Sequence, residues 1–84
     1  MSALPQSPGL SLEKEQADLG KAEQDIVEGQ LRITEQELRI EQLRLDGHDT
    51  KLAEELLATL HGTLAEWVAH REEILRTIDR LKPM

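Results

Sequence analysis

Between positions 45 and 50 the chain reads Leu45-Asp46-Gly47-His48-Asp49-Thr50, and this short stretch decides the fold. Gly47 can adopt the left-handed backbone angle that closes a helix, because it has no Cβ to clash with the preceding carbonyl. Asp49, or failing that Thr50, can accept hydrogen bonds from the free amides that open the next helix. A stop and a start so close together imply two antiparallel helices lying side by side. The expected division is a flexible tail over 1–10 and a helical hairpin over 11–82. Within the hairpin, a helix of about 11–45, a turn of 46–49 and a helix of about 50–81 are expected.

Both flanks of the turn carry helical periodicity. On the N-terminal side Leu12, Leu19, Ile26, Ile33 and Ile40 recur every seven residues. Ala22, Gly29 and Leu43 fill the intermediate offsets of a coiled-coil seam, and Gln36 makes that seam imperfectly apolar. On the C-terminal side Ala53, Leu57, Leu60, Leu64, Trp67, Arg71, Ile74, Ile78 and Leu81 alternate spacings of four and three without a break. Leu56, Val68 and Leu75 widen this stripe. Ser11 suits a cap for the first helix, with Glu13 and Glu15 near its positive dipole end. Pro83 stops the second.

The first helix carries a second apolar stripe, Val27, Leu31, Leu38 and Leu45, on roughly the opposite side of its seam. Leu52 and Leu56 extend the apolar surface beyond the turn. One partner helix covers only one face, and a lone hairpin does not comfortably offset the cost of ordering its chain. A homodimer, two hairpins packed as a four-helix bundle about a twofold axis, would bury the second stripe. A tetramer, or a different helical protein, would also cover it.

Composition agrees with an all-α chain. The sequence has 84 residues, 38% of them hydrophobic but only 1% aromatic, and 32% charged. Sheets need more β-branched and aromatic residues than this. Without cysteine, disulfides and thiolate metal sites are excluded. No apolar run approaches the about 18 residues of a membrane span, and the N-terminus lacks the features of a signal peptide. A cytoplasmic protein that needs no cofactor is expected. A net charge of −7 opposes general binding to nucleic acid or anionic membranes.

Folding back at Gly47 pairs residues whose numbers sum to roughly 95. Trp67 then falls near Gly29, where either a missing side chain makes room for the indole or the glycine is a tolerated helix defect. Arg71 falls near Gln24, Asp25 and Glu28, so pairing with one of these acids, setting register, is its expected role. The acidic opening of the first helix would face the segment holding Arg71, Arg76, Arg80 and Lys82.

Little points to chemistry. There is no glycine-rich phosphate loop and no nucleophile with an evident base, so the chain reads as a non-enzyme. His70 shares a face with Glu66 and Glu73, His61 follows Glu54 by two turns, and His48 lies beside Asp46 and Asp49. The Glu-x-x-His spacing of di-iron bundles and the His-Glu-x-x-His motif do not occur. A metal-binding bundle is therefore the weakest option. A small nucleic-acid-binding regulator would use a local basic face of Arg32, Arg39, Arg44 and Lys51.

The run Asp46-Gly47-His48-Asp49-Thr50, followed by Leu56-Leu57-Ala58-Thr59-Leu60 and His70-Arg71, resembles a group of small bacterial helical-hairpin proteins. In that group a similar Gly-His-Asp turn divides two amphipathic helices. The resemblance covers roughly residues 26 to 75 and implies a bacterial source, with no assigned activity. At the level of fold alone, the arrangement is similar to plasmid-encoded RNA-binding repressors that dimerise as two helical hairpins. Those need a basic face, which the charge here opposes.

Overall fold

The computed structural model describes residues 8–82 and consists of two α-helices, α1 (Pro8–Leu45) and α2 (Lys51–Leu81). They run antiparallel and pack against each other along their length. The result is a rod of 65 × 29 × 14 Å with a radius of gyration of 19.3 Å, against about 12 Å for a compact domain of this length.

The turn is built from the predicted stretch. Gly47 has φ +75°. The His48 amide donates to the Leu43 carbonyl at 2.8 Å and the Gly47 amide to the Arg44 carbonyl at 3.1 Å, which is the double closure of a Schellman motif. Asp49 Oδ1 accepts from the Lys51 amide at 3.0 Å. Thr50 stands at the N-cap position, and its side chain makes no capping bond. Its carbonyl accepts from Glu54 N at 2.8 Å and so starts the helical ladder of α2. The turn thus runs one residue longer than expected.

The far ends differ more. α1 begins at Pro8, a residue type suited to the first helical turn because it has no amide hydrogen to leave unbonded. Ser11 therefore lies inside the helix and is not its cap. The rest of the expected tail, residues 1–7, lies outside the described residues. At the other end the Lys82 amide bonds to the Ile78 carbonyl at 3.0 Å. The Lys82 backbone is then extended (φ −67°, ψ 137°), the conformation favoured before a proline. Pro83 itself lies outside the described residues.

The core is the predicted seam. Ala22, Ile26, Ile33, Ile40, Ile74 and Ile78 are buried, and Leu12 and Leu19 pack on the cluster of Ala22, Ile74 and Ile78. Leu57, Leu60, Leu64, Trp67 and Arg71 are half-buried, since two helices enclose a seam from only two sides. Gln36 is buried as well, and its Nε2 donates to the Ala53 carbonyl at 2.9 Å. This bond spans the two helices and ties the C-terminal third of α1 to the first turn of α2.

Two cross-helix pairings differ from expectation. The space at Gly29 is filled by Leu64, not Trp67: a Cβ added at Gly29 would lie 3.4 Å from Leu64 Cδ1. The layer at Gly29 goes to the seam residue one step nearer the turn, and the indole lies further along. There Lys21 Nζ sits 5.9 Å from the Trp67 ring centroid, within cation–π range, and His70 meets the ring edge-on at 5.9 Å. The second difference is Arg71, which reaches no acid of α1. Its nearest carboxylate is Glu72 on its own helix, at 3.9 Å, and its Nε is buried without a hydrogen-bond partner. Asp25 Oδ1 is held at 2.7 Å by Lys21, one turn earlier on the same helix, and its Oδ2, like Arg71 Nε, is buried without a hydrogen-bond partner.

Candidate interaction surface

With the seam occupied, the second stripe faces solvent. Val27 is 54% exposed, Leu31 59%, Leu38 66% and Leu45 74%. On α2, Leu52 is 80% and Leu56 48% exposed, and Leu75, read from sequence only as a widening of the seam, is also exposed. Scattered single leucines on a surface are ordinary, whereas these form a row at near-heptad spacing on one long helix.

The two sets of leucines occupy different places. Leu31, Leu38 and Leu45 follow one another at two-turn intervals along the side of α1 that points away from α2. Leu52 and Leu56 each precede a seam residue of α2, Ala53 and Leu57, and so sit on its flank. Of the six residues, four thus lie on α1 and two on α2 near the turn.

The polar surroundings are mostly settled locally. Asp46 is held by Gln42 Nε2 at 3.1 and 3.3 Å. Arg44 Nη2 lies 3.3 Å from Glu54 Oε1 and joins the two helices beside the turn, so the cross-helix pair found here is at the closed end. At the open end Glu15, Arg76 and Arg80 line one groove without an ion pair between the helices among the described residues. Near the start of α1, Lys14 Nζ lies 2.9 Å from Asp18 Oδ2. That hydrogen bond holds the Asp18 carboxyl below its ordinary pKa, with a smaller attraction from His70, and raises Lys14.

The residues considered for other chemistry do not converge. Arg32 and Arg39 line an open groove with Glu35, Gln36 and Leu60, while Arg44 is engaged by Glu54. Of the four basic residues, Arg32 and Arg39 thus share one groove, and Arg44 is paired across the helices beside the turn. Among the described residues, no three of His, Asp and Glu come together as a potential metal site. His48 lies exposed in the turn. Trp67, with Thr63, Glu66 and His70, borders a groove open to solvent. No described helix is long and apolar enough to cross a membrane.

No family model, curated protein or solved structure matches this chain. The class it falls into is therefore the one its geometry defines: an antiparallel helical hairpin with an unpartnered leucine ridge.

Proposed function

We propose that this protein is a non-enzymatic protein-interaction module that works as a homodimer, two hairpins burying their second apolar stripes in a four-helix assembly. The observation that carries this reading is the exposure of Val27, Leu31, Leu38 and Leu45 at regular spacing along a helix whose other face is already in use. The elongated shape supports it, because a two-helix rod buries little surface for its length and a second hairpin supplies the missing contacts. A bacterial cytoplasmic source fits the resemblance of the turn and the absence of cysteine.

The test is molar mass in solution by light scattering across a concentration series. The expected result is a mass of twice the chain at the upper concentrations. A helical species of single-chain mass at every concentration overturns the reading.

A further inference from the structure

We propose that the outer face of α1 is the docking site of a basic amphipathic helix from another protein, apolar along one face with Lys and Arg on either side of it. This goes beyond the homodimer reading and rests on it in one respect, that the stripe is a contact surface. Pairing with a second copy becomes the weaker occupancy, which the basic helix displaces.

The face has the layout of a coiled-coil seam. Val27, Leu31, Thr34, Leu38, Glu41 and Leu45 are spaced four, three, four, three and four residues apart, the alternation that also forms the seam with α2. All six are exposed. The Thr34 hydroxyl already bonds to the Gln30 carbonyl at 3.1 Å, so it keeps a partner when water leaves. The row from Val27 to Leu45 spans about 27 Å at 1.5 Å per residue, which sets the occupant at about five turns of helix.

Charge selects the occupant. In a coiled coil the positions bordering the seam decide which partner is accepted. Here they are Glu28, Glu35 and Gln42 on one edge and Gln30, Glu37 and Arg44 on the other. Arg44 is taken by Glu54 across the hairpin at 3.3 Å, so the charge left for a partner is negative on both edges. Glu41 adds a carboxylate within the seam itself. The carboxylates of Glu35, Glu37 and Glu41 hold no hydrogen bond or ion pair among the described residues. By contrast Asp18, Asp25 and Glu54 each have a basic partner. Arg32 and Arg39 follow Glu28 and Glu35 by one turn, one row further from the leucines, and pair with neither. A Lys or Arg on the incoming helix fits these places, because its aliphatic stem lies along the leucines while its charged head reaches a carboxylate. A second copy brings the same acidic edges, and like charges side by side weaken its hold.

Two synthetic peptides test the proposal. Each is a helix of about five turns with leucines alternating four and three apart and alanine and glutamine elsewhere. One carries lysine at the positions bordering the leucines, the other glutamate. Binding to the full chain is read by fluorescence anisotropy of the labelled peptide at low and high sodium chloride, and the mass of the complex by sedimentation equilibrium. The lysine peptide is expected to bind one to one, displacing any second copy, about tenfold tighter than the glutamate peptide at low salt. That preference shrinks as salt screens the charges. Leu38→Glu abolishes the binding with helix content unchanged by circular dichroism, and Leu56→Glu, on the flank of α2, leaves it in place. Glu35→Lys combined with Glu37→Lys transfers the preference to the glutamate peptide. Equal binding of the two peptides at low salt, or binding of the lysine peptide that survives Leu38→Glu, refutes the proposal. A chain that is dimeric alone and takes up neither peptide refutes the docking site and keeps the homodimer. A chain that is single alone and binds the lysine peptide as described refutes the homodimer and keeps the docking site.

Discussion

The two long faces of α1 carry nearly the same chemistry and meet opposite fates. On one, Ile26, Ile33 and Ile40 repeat every seven residues and are 5–7% exposed. On the other, Leu31, Leu38 and Leu45 repeat at the same interval and are 59–74% exposed. Neither periodicity nor side-chain volume separates them. The difference is the turn: Gly47 and Asp49 return the chain along one side of α1, and α2 is long enough to cover that side almost to its end. Heptad spacing shows that a seam exists; the covalent connection decides which seam is filled within the chain.

The largest effect expected from this contrast is in stability. Ile33→Ala removes contacts across the filled seam and should cost about 2–4 kcal/mol. Leu38→Ala, measured by urea unfolding at concentrations low enough to keep the chain single, should cost under about 0.5 kcal/mol. Similar losses at the two sites would mean that the outer face is already covered in the single chain, and the contrast would fail. Gln36 asks the question within the filled seam itself. Gln36→Ala should cost about 1–2 kcal/mol by deleting the cross-helix bond to the Ala53 carbonyl. Gln36→Leu should cost less or even stabilise, at the expense of a unique register seen as doubled or broadened amide signals by NMR.

The turn and the glycine in the seam give smaller, opposite effects. Gly47→Ala places a Cβ at φ +75° and should destabilise by about 1 kcal/mol. Gly29→Ala has a different outlook. Its new methyl would lie at van der Waals distance from Leu64, so the gain in helix propensity, up to about 1 kcal/mol, should survive. A loss on Gly29→Ala would show that the seam tolerates no approach closer than the present one. Thermal melts of both variants read these signs directly.

How far the sequence was legible follows from the same physics. The two helices, the turn and the seam residues are written in local rules: a glycine at the left-handed position, an acceptor before the next helix, and spacings of three and four. The cross-helix partners are not local. Assigning Trp67 to Gly29 requires the register to within one step, and the contacts that accompany the register, the bond from Gln36 to Ala53 and the pair of Arg44 with Glu54, are not encoded in the spacing of either helix. Proximity alone pairs Arg71 with an acid of α1, whereas Asp25 has a lysine one helical turn away. The exposed ridge was legible as apolar, and so was its direction. Its occupant was not, because nothing in a single chain's periodicity encodes a contact outside it.

Between the two faces of α1 runs a solvated flank, and its ion pairs should contribute least. Lys14 and Asp18 are one turn apart and 2.9 Å in contact, yet Lys14 is exposed and the Asp18 side chain is open to water over 44% of its surface, so solvent screens most of their attraction. The lowered pKa of Asp18 means that its share of stability is present above the ordinary carboxylate range and fades as pH falls through the folded value. The raised pKa of Lys14 means that its share is present below the ordinary lysine value and fades as pH rises through the folded one. An NMR titration should place the Asp18 midpoint below an ordinary aspartate, and Lys14→Ala should return it upward with little change in melting temperature. A large drop in melting temperature would mean that this flank, and not the seam beside it, holds the start of α1 against α2. The contrast between the two faces would then need a third term.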